Sequence, residues 1–163
     1  MGRSKGRPIG VSGCTFGAMG FVFAETMSGT VTWDSEPGRT HPFKFEISAH
    51  AESTRAHVLD GKVSVRGVLT APPRANGVDC EGTMIIRPIG QKIIRYELSF
   101  VGDDGKHYEL VGQKDIRFLK LRHSLTYLPA EILDDQHRRV ATCETSFDMK
   151  NDLWTFLRSW KPA

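Results

Sequence analysis

From Phe21 onward apolar and polar residues alternate with a period of two, the pattern of strands that bury one face and turn the other to water. Over 21–33 the odd positions run Phe21, Phe23, Glu25, Met27, Gly29, Val31 and Trp33, against Thr26, Ser28, Thr30 and Thr32. Residues 43–51 repeat this, with Phe43, Phe45, Ile47, Ala49 and Ala51 opposite Lys44, Glu46, Ser48 and His50. A third strand follows Asp60-Gly61 and carries Val63, Val65, Gly67 and Leu69 on one face. Pro72, Pro73 and Asn76-Gly77 predict a loop over 71–79. Further strands are predicted over 80–87, 91–101, 106–113, 115–121, 124–133 and 138–146. Asp103-Asp104-Gly105 and Asp134-Asp135 turn the chain, because Asp and Gly tolerate the positive φ that tight turns require.

The period then changes. Leu153, Phe156, Leu157 and Trp160 fall on one stripe of a helix predicted over 149–160, with Asp148 as its N-cap and Pro162 closing it. About nine antiparallel strands and one terminal helix predict an all-β fold, a lipocalin-like barrel or a two-sheet sandwich. The domain is expected to span 21–163.

Residues 1–20 are different in kind: six glycines and three basic residues, with almost no periodicity. A disordered arm is expected there, because glycine and charge cannot offset ordering entropy by burial. Several sorting motifs nearly fit. Met1-Gly2 is followed by Gly6 where a myristoylation signal needs Ser or Thr, and Val11-Ser12-Gly13-Cys14 lacks the apolar run of a lipoprotein leader. Val22-Phe23-Ala24 could pass for a cleavage site, but glycines interrupt the segment before it. Met19 is a candidate natural start, since the strand pattern begins at Phe21.

A chain of 163 residues with 39 % apolar and 25 % charged side chains can bury one core, and it is neither fibrous nor wholly disordered. No stretch has the length of uncharged apolar residues that a membrane helix needs. The net charge of +3 belongs to Arg3, Lys5 and Arg7: removing these from the 22 basic residues leaves 19, matching the 19 acids. The body therefore has no basic surplus for phosphates, and nucleic acid is not an expected partner. Three widely spaced cysteines, Cys14, Cys80 and Cys143, form neither a disulfide framework nor a zinc motif, which fits reduced thiols in the cytoplasm.

Glu25-Thr26-Met27-Ser28-Gly29 resembles a motif that opens a small all-β accessory domain in cholesterol-oxidase-like flavoproteins of the glucose-methanol-choline group. Tyr96-Glu97-Leu98-Ser99-Phe100 followed by Gly105 to Lys114 is similar to that domain's central hairpin, and the likeness extends loosely over 20–146. The resemblance implies a β accessory domain standing alone, without the flavin chemistry. A dinucleotide site needs strand, G-x-G-x-x-G and helix, and Gly13, Gly17 and Gly20 have neither that spacing nor a strand before them. No cofactor is expected.

Nucleophile-elbow, zincin and phosphate-loop motifs are missing from the sequence. His50 and His57 straddle a predicted turn, and His50 reads as a solvated side chain on a polar face. The paired aspartates at 103–104 and 134–135 sit where turns need them, which weighs against a metal role. Two charges break the pattern. Glu25 occupies the apolar face between Phe23 and Met27, and Lys114 continues the face of Tyr108, Leu110 and Gly112. A lone buried charge costs several kcal/mol, roughly, so two inward charges of opposite sign are expected to meet each other or a ligand. Alternatively a β-bulge turns either one outward, or the pair fixes strand register. Small inward residues (Ala49, Ala51, Gly67 and Gly112) leave room among Phe21, Phe45, Trp33, Tyr96 and Phe100, although small-beside-large also fills a tapering barrel without a void.

These residues point to a non-enzymatic domain that binds a small apolar ligand, lipid or sterol-like, with Glu25, Lys114, Trp33, Tyr96 and Tyr108 as candidate ligand-binding residues. The alternative is an interaction module that docks on an oxidoreductase or on a second copy through the helix stripe or an edge strand. A cofactor-free enzyme using Glu25 and Lys114 as acid and base has no supporting motif. Deleting residues 1–18 is expected to leave the melting temperature almost unchanged, and a drop of many degrees would contradict the arm assignment.

Overall fold

The computed structural model describes residues 21–51, 61–87, 91–115 and 127–147. Eight strands follow one another: β1 (Phe21–Trp33), β2 (Thr40–Ala51), β3 (Lys62–Ala71), β4 (Ala75–Arg87), β5 (Ile93–Val101), β6 (His107–Asp115), β7 (Tyr127–Asp134) and β8 (Arg139–Phe147). Each is antiparallel to the next, and β8 returns to pair with β1 from Met27↔Phe147 to Trp33↔Ala141, closing a barrel. The closed barrel decides between the two expected architectures. Alternation is kept throughout, with Phe43, Phe45 and Ile47 or Tyr96, Leu98 and Phe100 inward, and Lys44, Glu46, Arg95 and Ser99 exposed.

Four short turns lie at one end of the barrel. Two of them use the paired aspartates as turn chemistry requires. The Lys106 amide donates to Asp104 Oδ1 (3.1 Å), and the Gln136 and Arg138 amides both donate to Asp134 Oδ1 (2.9 Å). Among the described residues no helix is long and apolar enough to cross a membrane.

Several expectations need correction. Eight strands are described where nine were expected: β6 runs unbroken through Lys114 to Asp115, across the break expected before a 115–121 strand. The rest of that strand, the 1–20 arm and the 149–160 helix with its stripe lie outside the described residues. The 71–79 loop shrinks to Pro72, Pro73 and Arg74, since Ala71 ends β3 and Ala75 begins β4. Asn76-Gly77 is a bulge within β4. Leu69 pairs with Val78 and Thr70 with Asn76, leaving Gly77 (φ +72°) as the extra residue.

The interior is filled by large side chains: Trp33, Tyr96, Phe43, Phe45, Met27, Leu69, Leu98, Leu110, Leu128 and Ile132 are all essentially inaccessible. A barrel of eight strands is just wide enough for such filling or for one small ligand. Its tight curvature forces close backbone approach. A Cβ at Gly67 would lie 1.8 Å from the Glu46 carbonyl oxygen, and Gly29 and Gly82 face neighbouring carbonyls in the same way. Gly67→Ala is therefore expected to cost about 3 kcal/mol or more. Gly77→Ala, which meets nothing within 4 Å, should cost only about 1 kcal/mol for its left-handed backbone. Urea unfolding of the two variants checks this, and equal losses would contradict the close approach.

Candidate functional site

Glu25 sits on β1, Tyr96 on β5 and Lys114 on β6. Three strands separate β1 from β5 by either route around the barrel, so these strands form opposite walls. The three side chains nonetheless meet. Lys114 Nζ donates to Glu25 Oε1 at 2.7 Å, and Tyr96 Oη donates to Glu25 Oε2 at 2.8 Å. A polar bridge thus crosses the lumen. Glu25 is 5 % exposed, Lys114 3 % and Tyr96 1 %. The inward period-two positions put both charges inside, and the antiparallel register brings them to one level. Glu25 is opposite Ile47, Lys114 opposite Ile94, and Tyr96 lies between Met84 and Gly112.

Further contacts hold the ammonium and the phenol. Lys114 Nζ lies 5.1 Å from the Tyr96 ring centroid, a cation–π distance, and 3.5 Å from Met27 Sδ. The Tyr96 ring packs on Phe45 with centroids 6.0 Å apart. Burial first, and then the Glu25 charge and hydrogen bond, push the Tyr96 phenol well above its ordinary value, so it remains a donor to the carboxylate. No buried side-chain nitrogen or oxygen among the described residues lacks a partner.

The five candidate residues divide into two groups. Trp33 and Tyr108 lie at the turn end, about 26 Å along β1 from Glu25 by strand rise. There Trp33 Nε1 donates to the Pro72 carbonyl (2.7 Å), and the Arg74 guanidinium lies 4.5 Å over the indole. Arg74 also donates to Tyr108 Oη (3.3 Å), which in turn donates to Asp104 Oδ2 (2.7 Å). Slight burial pushes the Asp104 carboxyl up, but the Tyr108 hydrogen bond and the Lys106 amide hold it below the usual carboxylate range. This cluster plugs one end, and it is separate from the bridge.

Reading the sequence missed Met27, Arg74 and Asp104. Arg74 was detectable only as a lone cation among prolines, and Asp104 was read for its turn alone. His50 pairs with Val22 in β2; His57 lies outside the described residues. A groove of about 610 Å³ runs along the outside of the barrel past Thr30, Thr142, Glu144, Tyr127 and Gln113, and its lining includes none of the bridge residues. No protein-family model, curated protein or solved structure matches this chain.

Chemically, the bridge is an ion pair completed by a neutral donor, in a setting where either charge alone is costly. Lys114→Met is expected to cost about 3–5 kcal/mol, because the Glu25 carboxylate would stay buried without its cation. The double variant Glu25→Leu/Lys114→Met should recover most of that loss in urea unfolding. Additive losses in that cycle would show that the pair is not coupled.

Proposed function

We propose that this chain is a non-enzymatic, lipocalin-like binding protein for a small, largely apolar molecule held in the lumen on the Glu25 side of the barrel. One observation carries the reading. Glu25 and Lys114 are the only buried charged residues among those described, and they join across the lumen. Replacing a buried ion pair by apolar side chains is often neutral or stabilising, so stability alone is a poor reason to keep one. A polar floor beneath apolar walls is the usual make-up of a small-molecule site. Ile47, Met84 and Ile94 supply such walls beside the bridge. The turn end, closed by Trp33, Arg74 and Tyr108, leaves the opposite side for the ligand.

The proposal places the protein in the cytoplasm. Cys80 and Cys143 are free and buried. Burial, helped by the Asp79 charge, pushes the Cys80 thiol up to about 11, and burial pushes Cys143 up to about 12, so both stay protonated and unreactive. The competing reading is an accessory module that docks on an oxidoreductase or on a second copy. It draws on the same segments, since Glu25 and Lys114 both lie in the stretches that resemble the flavoprotein accessory domain.

Native mass spectrometry of the purified protein, repeated after denaturation, separates the two. A small-molecule mass that survives native conditions and vanishes on denaturation is the expected result. An empty dimer or a co-purified protein would replace the carrier with the docking module.

A further inference from the structure

We propose that the groove on the outside of the barrel is a second binding site, for a neutral oligosaccharide, independent of the lumen. Its volume of about 610 Å³ falls within the roughly 300–1,000 Å³ of small-molecule sites. The lining comes chiefly from outward positions, the faces opposite those that fill the interior. Strand register sets hydroxyls in a row there. Thr32 on β1 is the partner of Thr40 on β2 and of Thr142 on β8, and Thr142 is the partner of Glu131 on β7. Neighbouring strands lie about 5 Å apart, so the row presents a hydrogen-bonding group at each such step. The adjacent row sets Thr30 beside Glu144, and Glu144 beside Pro129. Tyr127, two residues before Pro129 and so on the same face of β7, is 39 % exposed and adds an aromatic ring to the lining.

The chemistry of these groups selects the ligand. A threonine hydroxyl both donates and accepts, whereas an ionised carboxylate only accepts. Among the described residues, no hydrogen bond or ion pair engages the Glu131 or Glu144 carboxylate. Arg95 and Gln113 bring planar donor heads, steadied along their own strands by Glu97 (2.7 Å) and Asp115 (3.0 Å). A sugar matches all of these together. Its hydroxyls donate to the carboxylates, exchange hydrogen bonds with the threonines and accept from Arg95 and Gln113, while its C–H face lies against Tyr127 and Pro129. Other ligand classes match less of the lining. An anionic ligand is opposed by Glu131 and Glu144, and a lipid meets mostly hydroxyls and charges. A metal ion has no set of three suitable side chains among the described residues. A basic peptide pairs with the two carboxylates but leaves the threonine row and Arg95 unmatched.

Isothermal titration calorimetry with cellopentaose, maltopentaose and laminaripentaose tests the site, with pentalysine as the cationic probe. At least one of the sugars is expected to bind with a Kd of about 1 mM or tighter. Its affinity should be the same at low and high salt, since no ion pair forms. Thr142→Val removes one hydroxyl at nearly constant shape, and Glu131→Gln removes one charge. Each should weaken that sugar about fivefold or more. Arg66→Ala, at an exposed position of β3 outside the groove, should leave it unchanged. All three positions are exposed, and circular dichroism verifies that each variant is folded. Sugar binding that both Thr142→Val and Glu131→Gln leave intact would lie elsewhere and overturn the proposal. Salt-sensitive binding of pentalysine with no binding of any sugar would make the groove a docking surface for a basic partner, and the proposal would fall. Silence from all four probes would overturn it as well.

Discussion

Everything inside this protein depends on the pairing of β8 with β1. Without it the strands form an open sheet with two edges, and one face of every strand meets water. With it, the inward faces share one lumen, and along Met27–Trp33 the first and last strands cover each other's edges. Closure sets the curvature, and curvature sets the places where only glycine fits, as at Gly67 against the Glu46 carbonyl. It also turns Glu25 and Tyr96, on strands that are not neighbours, into hydrogen-bonded partners.

The two ends of the lumen are built by different chemistry. At the turn end, polar groups reach the interior from the hairpins: the Pro72 carbonyl, Arg74 and Asp104 engage Trp33 and Tyr108 at the rim. Toward the other end, polar groups come from the walls themselves and meet in the middle. Rim contacts of the first kind close a barrel at little cost, because their charged members remain partly in water. The wall-to-wall bridge has no such relief, since Glu25 and Lys114 are both buried.

Much of the fold was legible in the sequence, because each strand has one face in the lumen and so writes a period of two. Glu25 and Lys114 were legible for the same reason, as charges on faces otherwise apolar. The division of the five candidates was harder to see. In an antiparallel meander the end of β1 and the start of β6 share one end of the barrel, so Trp33 meets Tyr108 there while Glu25 meets Lys114 far below. That follows from strand direction, yet it needs the strand boundaries, and Asn76-Gly77 blurred one of them. The same two residues serve a turn or a bulge, and only the pairing of Leu69 with Val78 distinguishes the two.

The bridge joins residues 71 and 89 positions apart, and the strand that carries Glu25 is closed by β8 alone. During synthesis, β1 to β7 can assemble hairpin by hairpin from local contacts, but the last seam is the most non-local and is made late. Until then Glu25 stands at the border of an unfinished sheet, where water solvates its carboxylate. A carboxylate in that position discourages an exposed first strand from pairing with a strand of another chain.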